Sequence, residues 1–264
     1  MDINIAFESG GIKGLAYVGV IRYLEERGYR VFKASGTSVG AIFASLLIAG
    51  YKSKEIEQII NNINVCEIVK LNSLREGIKS KGINNILPLE SKLESILSKK
   101  NIKTFNDLKY GDDYRLKIIV TDNKTKETVI LPNDLVKYGI NKDTFKVARA
   151  IAMSCSIPLV YSEYRIGKNC FVDGGATYRF PLEVVIDGVR PVLGVRLVRN
   201  KKFILDFIQN RIYKTKKNCL KNNNVVVLEI EINDLKATQF SKGLELRNNL
   251  YKIGYLSAYN NLNK

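Results

Sequence analysis

Ser38 stands between Gly36 and Gly40, where a strand-like segment meets an almost wholly apolar helical one. The pattern Gly-x-Ser-x-Gly suits a cramped strand-to-helix turn, because side chains larger than hydrogen at the flanking positions would collide with neighbouring backbone. Such a turn sets the hydroxyl at a helix N-terminus, whose amides and dipole favour developing negative charge. A serine held this way is a candidate nucleophile; the bland alternative is a glycine turn that encloses a serine. Asp173, followed by Gly174 and Gly175, closes a short apolar strand. Asp-Gly is foremost a turn dipeptide, yet beside a nucleophile the carboxylate becomes a base. Gly10-Gly11-x-x-Gly14 follows the first strand. Adjacent glycines let backbone N–H groups converge on an anion. A dinucleotide fingerprint would want a further glycine and an acid closing the next strand, and a Walker loop would want Gly-Lys-Ser/Thr where Gly14-Leu15 stands. An oxyanion hole needs only preorganised backbone donors near a nucleophile.

The 264 residues include no histidine. That removes His-ligated zinc, every Ser-His-Asp or Cys-His arrangement, and the commonest base near neutral pH. Catalysis must run on carboxylates, Lys, Tyr, Ser or Cys. Lys and Arg outnumber Asp and Glu by 42 to 26, a net charge of +16, so an anionic partner is expected. Cys66, Cys155, Cys170 and Cys219 lie far apart without metal-ligand spacing and read as reduced, buried thiols. The N-terminus lacks a basic segment followed by an apolar one, and Ala41 to Ala49 is too short to span a bilayer. The expectation is a soluble, cytoplasmic protein.

The elements that must position these residues follow a strand–glycine–helix rhythm. Ile3, Ile5 and Phe7 alternate as a strand; a helix runs from Leu15 to Arg27 and ends at Gly28. Tyr29 to Ala34 is a strand feeding Gly36, and Ala41 to Ala49 a helix apolar on every face, hence buried. Residues 53–63 and 89–99 read as amphipathic helices. Arg115 to Asp122 and Thr128 to Leu131 read as paired strands, and Asp143 to Met153 as a helix. Asn169 to Val172, Pro191 to Val198 and Val225 to Ile232 are strands, and Ser241 to Leu262 is one long helix with Leu246, Leu250 and Ile253 on a stripe. This order predicts a single α/β domain over 1–264, a three-layer α/β/α sandwich around a mostly parallel sheet. The motif-bearing core spans about 3–182 and a basic C-terminal part about 199–264.

Taken in order, Gly10-Gly11-x-x-Gly14, Gly36-x-Ser38-x-Gly40 and Asp173-Gly174-Gly175 resemble the patatin-like phospholipases, which use a Ser–Asp dyad and no histidine. Thr121-Asp122 is similar to the family's strand end before a turn. Ala152-Met-Ser154-Cys-Ser156-Ile-Pro158 is similar to the segment ahead of its aspartate strand. Two positions depart from the pattern: Ser9 where a third glycine is usual, and Arg179-Phe180-Pro181 where Asn-x-Pro is common. The resemblance implies that Ser38 is the nucleophile and Asp173 its proton acceptor, with the amides of Gly10, Gly11 and Ile12 as oxyanion donors. Lys13 is implied either to hold the glycine loop or to meet a phosphate. No metal and no cofactor are implied. The implied substrates are phospholipids or lysophospholipids.

Other readings stay open. A basic, non-catalytic module binding anionic lipid or nucleic acid would explain the charge, though not an elbow and an acid-Gly-Gly together; with the dyad in view, no nucleic acid is expected. A thioesterase or acyltransferase would share the acyl-serine. Cys155, beside Ser154 and Ser156, has no base in view and reads as core, and Tyr251, Tyr255 and Tyr259 read as a half-buried helical face. From Arg199 to Lys221 the chain carries a net +7, with Ile204, Ile208 and Ile212 spaced four apart. That segment is either a solvated surface helix or one that holds the protein peripherally on an anionic membrane.

Overall fold

A computed structural model describes residues 1–62, 85–158, 160–199 and 225–262. The elements are β1 (Asp2–Phe7), α1 (Ala16–Glu26), β2 (Arg30–Thr37), α2 (Val39–Ile48), α3 (Ser53–Asn62), α4 (Leu87–Ser98), β3 (Lys109–Tyr110), β4 (Asp113–Tyr114), β5 (Leu116–Asp122), β6 (Thr128–Leu131), α5 (Val147–Ser154), β7 (Tyr164–Ile166), β8 (Asn169–Asp173), β9 (Val192–Val198), β10 (Val225–Glu231), α6 (Phe240–Glu245) and α7 (Arg247–Leu262). The main sheet runs β10-β9-β1-β2-β5-β8-β7, with β6 also paired to β5. The run from β10 to β5 is parallel throughout, and β6, β8 and β7 pair antiparallel. The fold is therefore an α/β sandwich with a mostly parallel central sheet flanked by helices.

Alternation along β1 divides the interior. Ile3, Ile5 and Phe7 join the large core that includes α1, α2 and α4, whereas Ala6 meets a smaller cluster of Phe180, Leu182, Val185 and Val192 on the other face. As its composition demands, α2 is buried on nearly every side, with Phe43, Ala44 and Leu46 fully enclosed. Parallel pairing places the C-terminal ends of β1, β2 and β9, and the loops after them, along one edge.

Three expected boundaries move. β2 continues through Gly36 and Thr37, so the elbow begins as strand. The helix expected from Asp143 starts at Val147, because 143–145 forms a turn and Lys146 bridges Thr104, with Phe105 N–H bonded to the Phe145 carbonyl and Val147 N–H to that of Lys103. The C-terminal helix breaks at Leu246, and its buried stripe is Leu250, Gly254 and Ala258. Tyr255 and Tyr259 pack edge-on around Tyr23. Cys66, Cys219 and nearly all of the basic 199–221 segment lie outside the described residues; Cys155 and Cys170 are buried free thiols.

The small residues of that stripe let α7 meet α1 backbone to backbone. A Cβ on Gly254 would stand 1.9 Å from the Ala16 carbonyl oxygen, and one on Gly19 would stand 1.9 Å from that of Tyr251. Helix propensity alone favours Ala over Gly by about 1 kcal/mol, but forcing a methyl into a closed contact costs about 1–3 kcal/mol. Gly254→Ala is therefore expected to destabilise the protein in urea unfolding. A gain in stability would show that the helices separate at no cost.

Candidate active site

β2 carries the chain into the elbow, and Ser38 there takes φ 56°, ψ −124°. That left-handed backbone is rare for a residue with a side chain and marks a strained position. The flanking glycines are steric necessities: a Cβ on Gly36 would lie 2.1 Å from the Gly40 carbonyl oxygen, and one on Gly40 would lie 2.5 Å from that of Phe7. Ser38 N–H donates to Ser154 Oγ at 2.8 Å, and Ser154 Oγ donates to the Ile119 carbonyl of β5 at 2.6 Å. Ser154 thus braces the elbow from α5. The sequence reading passed over this role, although it noticed the segment that carries the residue.

Asp173 ends β8, which pairs antiparallel with residues 120–122 of β5, on the same edge that β2 occupies at residues 116–119, while β6 holds the other edge. Its amide donates to the Ser156 carbonyl at 2.9 Å and its carbonyl accepts from Thr121 Oγ1 at 3.1 Å, so the backbone is held at both ends. Its carboxylate accepts from Ser38 Oγ at 2.5 Å through Oδ2 and from Gly175 N–H at 2.6 Å through Oδ1. The side chain is almost wholly buried. Burial pushes its pKa up to about 6, opposed by the Ser38 and Gly175 hydrogen bonds and the positive charge of Arg179.

The glycine loop forms a tight turn, Gly11–Leu15, packed against the start of α2; a Cβ on Gly14 would lie 2.6 Å from Val39. Gly11 has φ +55° and faces the same pocket as Ser38. One expected donor departs from its assignment. Ile12 gives its N–H to the Ala237 carbonyl at 3.0 Å, whereas the amides of Gly10 and Gly11 make no such bond among the described residues. Lys13 is buried, with its ammonium 3.2 Å from the Ile232 carbonyl, which ties the loop to the chain beyond β10. Cys155 touches the site as well. Burial and the Asp173 charge hold its thiol well above the usual range, which keeps it protonated and a poor nucleophile.

In front of Ser38 opens a pocket of about 700 Å³, its mouth included. Ser38 and Cys155 sit at its polar end, and Leu15, Ile42, Phe43, Ile60, Leu89 and Phe240 help to line the rest. Among the described residues no three His, Cys, Asp or Glu side chains converge as metal ligands, and no helix is long and apolar enough to cross a membrane.

Residues 5–186 match the patatin-like phospholipase family. The chain belongs to that family. Membership makes it a lipid hydrolase by class. It is 30% identical to YqhO, an uncharacterised protein of Bacillus subtilis, over 96% of either chain. It is also 39% identical to the lysophospholipase NTE1 of Mycosarcoma maydis, over 59 residues that make up 22% of this chain and 3% of that one. In fold it resembles VipD of Legionella pneumophila, with a TM-score of 0.61 at 16% identity, covering 98% of this chain and 66% of VipD.

Removing the Ser154 hydroxyl would leave the Ser38 N–H and the Ile119 carbonyl buried without their partner, at about 1–3 kcal/mol for each unsatisfied group. Ser154→Ala is expected to lower the urea midpoint and to slow labelling of Ser38 by a fluorophosphonate. Ser154→Thr, which keeps the hydroxyl, is expected to label faster than Ser154→Ala. Equal labelling of Ser154→Ala and wild type would mean that the elbow holds without this brace.

Proposed function

We propose that the protein hydrolyses carboxylic esters of phospholipids or lysophospholipids through an acyl-serine on a Ser38–Asp173 dyad. The observation that carries this reading is the 2.5 Å bond from Ser38 Oγ to Asp173 Oδ2 at the polar end of an apolar pocket. In the first half-reaction Asp173 accepts the Ser38 proton while Oγ attacks the acyl carbonyl. The tetrahedral oxyanion turns to the amides of Gly10 and Gly11. Collapse expels the alcohol, which takes the proton from Asp173. Water then attacks the acyl-serine, giving its proton to Asp173, and the second collapse returns a proton to Ser38 as the fatty acid leaves.

The pocket supports the substrate class. Its lining offers an acyl chain an apolar seat, where each buried methylene contributes about 0.8 kcal/mol. The short stretch shared with a lysophospholipase points the same way. An anionic headgroup suits the net charge of +16, and peripheral attachment to an anionic membrane belongs to the same proposal. A purely binding module gives no reason for a buried acid bonded to a strained serine.

The dyad is tested by substitution. Ser38→Ala and Asp173→Asn should each lower kcat by at least about 10³-fold, and the double variant should be scarcely worse, because groups acting as a unit are not additive. Mass spectrometry should find a fluorophosphonate on Ser38 alone. Turnover in Asp173→Asn within tenfold of wild type would show that another group takes the proton.

The pH dependence follows from the base. Asp173 must be ionised to accept a proton, and its pKa lies near 6. On a soluble short-chain ester, kcat/KM is expected to be flat at neutral pH and to fall about tenfold per unit below pH ~6. A limb near pH 4 would mean that the carboxylate works as a solvated acid, contrary to its burial.

A further inference from the structure

Ser9 and Arg179 lie 170 residues apart and are bonded twice. Ser9 gives its N–H to the Arg179 carbonyl at 2.9 Å, and Arg179 Nε donates to Ser9 Oγ at 3.2 Å. The same hydroxyl borders the acid turn: a Cβ on Gly175 would stand 3.3 Å from it, and Gly175 is the residue whose amide holds Asp173 Oδ1. One guanidinium therefore joins the chain entering Gly10–Gly11 to the turn that carries the base. These are also the two positions at which the motifs depart from the family pattern. They meet each other.

The charges around the base are few. Asp173 is faced by the Arg179 cation, the Ser38 hydroxyl and the Cys155 thiol. Arg179 is in turn faced by Glu8 and by the Tyr17 hydroxyl. Glu8 is buried, accepts from Leu197 N–H at 2.9 Å and lies 4.0 Å from Arg196 Nε, so it answers to a second cation as well.

We propose that Arg179 is a positioning residue: through Ser9 it locks the glycine loop onto the acid turn, and it supplies the cation that faces the Asp173 carboxylate. The inference rests on the Ser38–Asp173 reading. A neutral side chain at 179 removes the charge and the side-chain half of the clamp together. Lysine keeps the charge but not the planar fork that aligns Nε with the Ser9 hydroxyl. Ser9→Ala removes the side-chain half of the clamp and leaves the charge.

The test is kcat/KM against pH on a soluble short-chain ester for wild type, Arg179→Gln, Arg179→Lys, Ser9→Ala and Ser38→Ala, with folding checked by thermal unfolding. In Arg179→Gln the acid limb is expected to move up by about one pH unit, since an opposite charge nearby favours the ionised carboxylate. Its neutral plateau is expected to fall about tenfold as the donors lose their aim. Arg179→Lys should keep the wild-type limb with a lowered plateau, and so should Ser9→Ala. A wild-type limb in folded Arg179→Gln, or a limb in Arg179→Lys displaced as far as in Arg179→Gln, overturns the proposal. If Arg179→Gln does not fold, wild-type plateaus in both Arg179→Lys and Ser9→Ala overturn it instead. Ser38→Ala separates the two levels: full activity there removes the dyad and this inference together, whereas an inactive Ser38→Ala beside an unmoved Arg179→Gln limb removes only the role of Arg179.

Discussion

Asp173 exchanges water for two fixed donors, Ser38 Oγ–H and Gly175 N–H, and everything else in the site is arranged around that exchange. Two strong hydrogen bonds would lower a carboxylate's pKa, and burial raises it; here burial wins, and the balance settles near 6. A free aspartate, near 3.9, is a poor base at neutral pH. At about 6 the group is still ionised at pH 7 while its affinity for the serine proton has risen about a hundredfold. Many enzymes obtain a base in this range from histidine. This chain has none; in the proposed dyad a carboxylate taken out of water fills that place.

Holding Ser38 and the buried Asp173 carboxylate at hydrogen-bond distance requires a rigid ruler, and β5 is that ruler. Thr37 pairs with Ile119, and Asp173 pairs with the adjacent Val120 along the same edge, β6 holding the other. β2 and β8 therefore meet end to end along β5, which brings Ser38 and Asp173 together. The Ile119 carbonyl accepts from Ser154, which in turn accepts the Ser38 amide. The same carbonyl closes over Gly174, where a Cβ would lie 2.3 Å away. One peptide unit of β5 thus governs both sides of the dyad, and parallel pairing toward β1 brings the glycine loop to the same edge.

What the sequence reveals is what local sterics demand. Gly36, Gly40 and Gly174 stand where backbone passes within collision distance of a Cβ, so their spacing around Ser38 and Asp173 is readable without coordinates. The mostly parallel sheet flanked by helices is similarly legible from strand–glycine–helix repetition. Contacts between distant segments leave no such trace. The capture of the Ile12 amide by Ala237 joins residues more than 220 positions apart, and nothing in Gly10-Gly11-Ile12 announces it. Ser154 reads as one of two serines in a small-residue run, and only the fold distinguishes it from Ser156, which bonds back to Ala152. The non-helical 143–146 segment and the break at Leu246 are tertiary choices too: the first bonds to 103–106, and the second precedes the helix whose Gly254 meets α1. Helical pattern cannot see either partner.

Base strength and stability pull in opposite directions at Asp173. Its folded pKa lies above the unfolded value, so its contribution to stability is complete below about 3.9 and is lost as pH rises through about 6. At neutral pH the ionised carboxylate costs the fold about 3 kcal/mol relative to an unshifted one. The backbone of Ser38 adds strain of about 1–3 kcal/mol. Both costs fall on the same bonded pair, and both are carried by surroundings that do no chemistry: the largely buried α2, the backbone contact of α1 with α7, and β5, paired on both edges. A site that relaxed either burden would solvate the carboxylate or release the elbow, and each relaxation removes what the proposed dyad needs of Ser38.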